Sequence, residues 1–273
     1  MMRQELITSV QNQQVKQWHQ LLSRKGREET GRFLVEGVHL VTEALRSDRE
    51  VLALIYDADR GLPRECEEAL NARQHAVKRI AVSPQVMDKI SETKSPQGVI
   101  AELKKSHVSW EQFWSELAKR QEFLLLVADE IQDPGNMGTI LRTADAAGVD
   151  AVIVGEGSVD LYNGKVVRST MGSLFRMPVF TRNISEALQE IKQAGGKALV
   201  TSLGRDSKPY TAHLYAGKCV IVVGNEGRGV SAEAQEMADE LVHIPLYGGA
   251  ESLNAAVATG IMLYEAQRQR KNA

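Results

Sequence analysis

Cysteine is almost missing from this sequence: Cys66 and Cys219 stand far apart, and neither has a His or a second Cys beside it at metal-ligand spacing. A disulfide framework and a zinc site are therefore excluded, and two inert core thiols are expected. No run of about 18 apolar residues occurs, and the opening stretch MMRQELITSVQNQQ has no apolar core. Neither a membrane span nor a secretory leader is expected, and a cytoplasmic location is. Gly-Lys-Ser and Gly-Lys-Thr are absent, which excludes a Walker-type phosphate loop. Internal repeats and low-complexity tracts are also lacking. With 43% hydrophobic and 25% charged residues, the chain has ample material for a folded core.

An excess of one charge is lacking as well. The formal net charge is −2, whereas a phosphate-binding domain is usually basic overall. The average conceals a division. Residues 1–120 hold 19 Lys and Arg against 17 Asp and Glu, and residues 121–273 hold 14 against 18. Most of this difference reads as solvated surface. One cluster, Arg24, Lys25, Arg27 and Arg32, is dense enough to form a local phosphate-contacting patch.

What is present is an alternation. Residues 33–104 switch between short apolar runs (FLVEG, VLALIYD, VKRIAVS, GVIAELK) and helix-like segments, the repeat of an α/β layer. Ahead of them, residues 11–25 read as one helix with Val15, Trp18, Leu21 and Leu22 on a face. The stretch 106–120 breaks the alternation and reads as a linker helix, its Trp110, Phe113, Trp114 and Leu117 stripe serving packing. The expected domains are thus 1–105, the linker 106–120, and 121–273. In the last, continuous Val, Ile and Leu runs (FLLLVA, AVIVG, KALVT, KCVIVV) imply a parallel sheet covered on both faces, with ligands beyond the C-terminal strand ends. The text from Leu161 to Phe180 reads as irregular.

Three stretches at such strand ends carry the chemistry. GNEGRGVS (224–231) follows an apolar run, but its glycines run Gly-x-x-Gly-x-Gly, the reverse of the dinucleotide fingerprint, and Glu226 would repel a pyrophosphate. An acidic side chain there suits a cation such as a sulfonium, and glycines let backbone approach a ligand. DEIQDPGNMGTILRTADAAG (129–148) places Asn136 as a candidate cap for the helix holding Arg142, and IPLYGGAESLNAAVATG (244–260) places Ser252 as the natural cap of a thin, Ala-rich helix. Caps, a surface arginine, a plain turn and buried packing are the alternative readings of the same residues.

Together, Asn136 with Gly138 and Arg142, then Asn225-Glu226-Gly227, then Ser252-Leu253-Asn254, resemble the three signature motifs of the SpoU (TrmH) family of RNA ribose 2′-O-methyltransferases, within the SPOUT class. KVVRSTMGSLFRMPVF resembles the family's Arg-x-Ser-x-Gly-x-x-Phe-x-x-Pro pattern, except that Thr170 and Met171 separate Ser169 from Gly172. RFLVEGVHLVTEAL and SPQGVIAEL resemble the small ribosomal-protein-like RNA-binding domain often fused ahead of the catalytic one. The resemblance implies a parallel-sheet SPOUT domain with a trefoil knot behind a smaller α/β domain. It further implies S-adenosylmethionine held near Gly224, Ile244 and Leu253, with no metal. Arg142 would hold the RNA phosphate and stabilise the developing alkoxide, with Asn136, Glu226, Ser252 and Asn254 orienting ribose and arginine, in a homodimer. Ribosomal RNA is the favoured substrate. Transfer-RNA methylation, a catalytically silent RNA-binding protein and a nicotinamide oxidoreductase are the alternatives.

Overall fold

The computed structural model describes residues 5–105, 108–204 and 206–272. The chain opens with β1 (Glu5–Ile7), α1 (Gln13–Gln20), α2 (Arg24–Thr30), β2 (Arg32–Glu36) and α3 (Val38–Arg46). It continues through β3 (Val51–Asp57), α4 (Arg64–Asn71), β4 (Lys78–Val82), α5 (Pro84–Ile90) and β5 (Val99–Lys104). Then come α6 (Trp110–Leu117), β6 (Phe123–Ala128), α7 (Pro134–Ala146), β7 (Ala151–Gly155), α8 (Gly164–Ser169), α9 (Ser173–Arg176) and β8 (Val179–Arg182). The last stretch holds α10 (Ile184–Gln193), β9 (Lys197–Thr201), β10 (Lys208–Pro209), β11 (Lys218–Val223), α11 (Ala232–Glu236), β12 (Glu240–His243) and α12 (Ala255–Lys271). These elements form two compact units, Met1–His107 with Asp160–Arg176, and Val108–Val159 with Met177–Ala273.

The first unit is a five-stranded sheet of order β1-β4-β3-β5-β2. Strands β1, β4 and β3 are parallel, while β5 runs antiparallel to both β3 and β2. Helices α1 and α5 cover one face with Val15, Trp18, Val86 and Met87 over Ile55, Ile80 and Ile100. The single helix expected over 11–25 is broken at its end. Ser23 caps a second helix by accepting the Gly26 N–H at 3.1 Å, and a Cβ on Gly26 would stand 2.1 Å from the Gln20 carbonyl oxygen. Only glycine allows that approach, and the approach turns Arg27 inward. Its guanidinium donates to the carbonyls of Leu21 and Leu22 and to Asp160 at 2.7 Å, and 3% of the residue is exposed.

Asp160 belongs to a segment that returns to this unit. Besides Arg27–Asp160, it is held by Arg168–Glu92 at 3.2 Å, Arg176–Glu43 at 2.6 Å, and Arg49 donating to the carbonyls of Leu174 and Phe175. The stretch that read as irregular is thus two short helices, α8 and α9, ending before β8. Counted from Arg168, the Arg-x-Ser-x-Gly spacing is intact with Thr170 in the serine position. Thr170 is fully buried and its hydroxyl donates to the Val167 carbonyl at 2.7 Å, so nothing is inserted there.

The second unit is a seven-stranded sheet of order β10-β12-β9-β11-β6-β7-β8, parallel throughout. Every residue of β6 and β7 is buried, as the continuous apolar runs require. Helix α6, expected as a linker, is part of this unit's packing. The Trp110 ring stacks on Trp114 at 5.2 Å and meets Phe180 edge-on, and Trp114 meets Phe123. Helix α12 packs on α7, where a Cβ added to Gly260 would lie in ordinary contact with Thr143. Among the described residues no helix is long and apolar enough to cross a membrane.

Candidate active site at the strand ends

The local sequence after β6 sets the frame. Asp129 is buried and accepts the Ser231 N–H at 2.7 Å, so the β6 end and the loop after β11 are pinned together. Asp133 caps α7 by accepting the Asn136 N–H at 2.8 Å, with Pro134 in the first turn. Asn136 is therefore not the cap expected of it. It sits inside the first turn with its side-chain amide free for other work. The Asp-Pro pair was a legible signal for this, because proline is preferred directly after a capping residue.

Asn254, not Ser252, caps α12: its Oδ1 accepts from the N–H groups of Ala256 at 2.9 Å and Val257 at 3.2 Å. Its Nδ2 then donates to Asn136 Oδ1 at 2.9 Å, and Asn136 Nδ2 donates to Glu226 Oε1 at 2.9 Å. A chain of hydrogen bonds thus joins three segments about 90 and 118 positions distant from Asn136. Its donors run in one sense, from the α12 N–H groups through Asn254 and Asn136 to the Glu226 carboxylate. Glu226 also faces the backbone N–H groups of Gln132 and Asp133, at 3.4 and 3.3 Å. Burial pushes its pKa up, but the Asn136 amide and these N–H groups hold it below the usual glutamate value, so it is ionised at neutral pH.

Beside this chain lies a cavity of about 450 Å³, beyond the C-terminal ends of β9, β11 and β12. Gly224, Ile244 and Leu253 all line it, as do Glu226 and Ser252. Its size is that of a site for a drug-sized molecule. Leucine, isoleucine and valine side chains offer an apolar wall for a flat ring, and Glu226 and Glu251 offer negative charge to a cation. The donor set suits an adenosyl sulfonium. Gly224 has a second reason to be glycine besides the one expected. A Cβ there would stand 2.2 Å from the Val230 nitrogen, so it lets the loop close on itself. Asn225 completes that closure: its Oδ1 accepts from Gly227 and Arg228, and its Nδ2 donates to the Glu130 carbonyl.

Arg142 stands apart. It lies six residues beyond Asn136 on α7, a displacement of about 9 Å along the axis and about 240° around it, so the two face different directions. It is exposed, and no ion pair or hydrogen bond engages it among the described residues. Of the proposed phosphate patch, Arg24 pairs with Glu28 at 2.7 Å and Lys25 lies 3.8 Å from Glu29, all four exposed, and Arg32 pairs with the buried Glu102 at 2.9 Å. Arg27 is a correction. Enclosed by its own unit, it has no surface to offer a phosphate.

The SpoU rRNA Methylase family matches residues 123–264, and the MRM3-like substrate binding domain matches residues 12–101. The chain is 40% identical to the Bacillus subtilis 23S rRNA (guanosine(2553)-2′-O)-methyltransferase RlmP, over 94% of this chain and 97% of that protein. It is 34% identical to the Streptomyces viridochromogenes 23S rRNA (uridine(2479)-2′-O)-methyltransferase, covering 97% and 92%. A crystal structure of the SpoU methyltransferase AviRb from Streptomyces viridochromogenes, in complex with the cofactor AdoMet, superposes with a TM-score of 0.85 at 30% identity, covering 96% of this chain and all of that one. With the family's pattern spanning the unit that holds the cavity, and relatives aligned from end to end, the chain belongs to the SpoU rRNA methylase family.

Proposed function

We propose that this protein transfers a methyl group from S-adenosylmethionine to a ribose 2′-hydroxyl of RNA, with 23S ribosomal RNA as its substrate in the cytoplasm. The observation that carries the reading is the hydrogen-bonded chain Asn254–Asn136–Glu226 at the edge of the cavity. S-adenosylmethionine supplies an electrophilic methyl group when bound. Glu226 and Glu251 favour its positive charge, and Gly224, Ile244 and Leu253 hold it against the strand ends.

The residues of the chain position the acceptor. Asn136 and Asn254 are fixed by each other and by α12, so their geometry is set before a ribose arrives, and orientation of this kind supplies much of the rate in a two-substrate transfer. Ser252 is at hand to orient the sugar. The role of the Arg142 guanidinium is electrostatic: it holds the RNA phosphate and stabilises the alkoxide as the hydroxyl proton passes to solvent. Because it faces away from Asn136 within its own chain, it serves a ribose on a second copy. The exposed Val257 and Tyr264 on α12 supply the apolar face for such a homodimer. The trefoil knot accompanies the return of α12 to α7, and the first unit holds the RNA.

The test is transfer of labelled methyl from S-adenosylmethionine to an unmodified 23S ribosomal RNA transcript, with calorimetry of cofactor binding alongside. Transfer mapped to a 2′-oxygen supports the proposal. Binding of S-adenosylmethionine without transfer would make the protein a silent RNA binder, and preference for NAD would return it to the oxidoreductases.

A further inference from the structure

Three exposed large hydrophobic residues lie on the segments that line the cavity. Leu203 after β9 is 66% exposed, Leu253 before α12 is 37% exposed, and Tyr247, in the loop between β12 and α12, is 96% exposed. Leu203 and Leu253 line the cavity, and so do Leu246 and Glu251 on either side of Tyr247, yet Tyr247 itself turns out of it. Its phenol has neither a ring contact nor a hydrogen bond among the described residues. Gly248 and Gly249, which follow it, have nothing within 4 Å of where a Cβ would stand. Among the described residues nothing stacks on this ring or bonds its hydroxyl, and an amphipathic aromatic side chain presented on an open loop suits a contact surface.

The position of the loop says what the ring meets. Seven residues after Tyr247 comes Asn254, whose amide belongs to the hydrogen-bonded chain that faces the acceptor ribose. In the proposed reaction a base attached to that ribose, or to its neighbour, would pass this loop. We infer that Tyr247 is a substrate-binding residue on which an unpaired RNA base stacks, next to the nucleotide being methylated. The inference rests on the methyl-transfer reading above. Because every base has a π-face, the ring contributes affinity and orientation and does not read sequence.

The full-length Tyr247→Ala, Tyr247→Phe and Tyr247→Leu variants are assayed on the unmodified 23S ribosomal RNA transcript. Alanine is expected to lower kcat/KM for RNA about tenfold, phenylalanine to keep it within about twofold, and leucine to fail to restore it, with cofactor affinity unchanged in all three. Tyr247→Trp adds a direct signal: its extra indole emission should be quenched when the transcript binds. The inference is overturned if alanine leaves RNA kinetics unchanged, or if leucine restores them. It is also overturned if cofactor affinity falls while RNA affinity holds, or if alanine changes the sedimenting species, because the ring would then be a cofactor lid or a subunit contact. Wild-type protein that transfers no methyl to RNA fails the functional reading itself, and stacking falls with it. That outcome is told apart from the others by the wild-type rate alone.

Discussion

The two units handle charge in opposite ways. In the first, every cation of the basic cluster has a carboxylate of its own: Glu28 for Arg24, Glu29 for Lys25, Asp160 for Arg27 and Glu102 for Arg32. In the second, Arg142 is exposed and no described residue pairs with it, and Glu226 is neutralised by no cation among the described residues but is held by neutral amides. A cluster of basic residues in the sequence therefore overstates what is free to meet RNA, and a lone arginine understates it. Availability depends on what the fold has already placed against each charge.

The largest effect that sharpens this contrast lies in the first unit. Arg27→Ala would strand Asp160, of which 15% of the side chain is exposed, and leave the carbonyls of Leu21 and Leu22 without their donor. Removing one partner of a buried pair typically costs about 3–5 kcal/mol. A urea titration should show that loss, whereas Arg24→Ala should stay within about 0.5 kcal/mol, as exposed substitutions do. A loss below about 1 kcal/mol for Arg27→Ala would return Arg27 to the candidates for phosphate binding and blur the contrast.

Arg142→Ala tests the other side. No described residue pairs with or hydrogen-bonds to this guanidinium, so unfolding and cofactor binding should be unchanged. Losing the charge that stabilises the developing alkoxide should lower the single-turnover rate of methyl transfer at saturating RNA by about 10²–10³-fold, and losing its phosphate contact should weaken RNA binding as well. A loss of stability would mean that the arginine has a structural partner after all.

Asn136→Ala comes next, with about a 10–100-fold loss in kcat, since it breaks the chain in the middle and leaves the Asn254 amide and Glu226 each short of a partner. It also carries a pH signature. The Glu226 pKa is depressed in the folded protein, so whatever the ionised carboxylate contributes is present above its unfolded pKa and is lost as pH falls through the folded one. Removing the Asn136 amide removes one of the groups that depress it. The acid limb of the activity profile should therefore move to higher pH in Asn136→Ala and stay in place in Arg142→Ala.

Much of the second unit was legible because its strands are buried on both faces and announce themselves as unbroken apolar runs, and because the motif residues fall where such strands end. That placement points to a ligand region beyond the strand ends, and the residues that the family resemblance adds, Gly224, Ile244 and Leu253, lie on the wall of the cavity found there. Asn136 and Ser252 are plausible caps by residue type, but Asp133 and Asn254 take those places: the Asp133-Pro134 pair marks the first, whereas residue type alone does not separate Asn254 from Ser252 two positions before it. The return of residues 160–176 to the first unit left no mark in periodicity. Its holding contacts, Arg27–Asp160 and Arg168–Glu92 among them, span 133 and 76 positions, beyond the reach of any local pattern. Strands as short as β1 and β10 offer too few residues for alternation to register.

The smallest effect probes how the cavity wall of the second unit is held. Glu130 has φ +52°, a left-handed conformation that disfavours side chains, and its carboxylate pairs with Arg228 at 2.7 Å on the cavity loop. Two terms compete in Glu130→Gly. Relief of the strain is worth about 1 kcal/mol. Loss of an exposed ion pair costs about 0–1 kcal/mol, because water screens it. The strain term should win narrowly, so the melting temperature should rise by a degree or two, while Arg228→Ala, which removes the pair and keeps the strain, should lower it by no more than that. The exposed pair then serves the loop's position and not the stability of the unit, as the buried Arg27–Asp160 pair does not. If Glu130→Gly instead falls in step with Arg228→Ala, the pair outweighs the strain, and an exposed charge in the second unit carries stability much as a buried one does in the first.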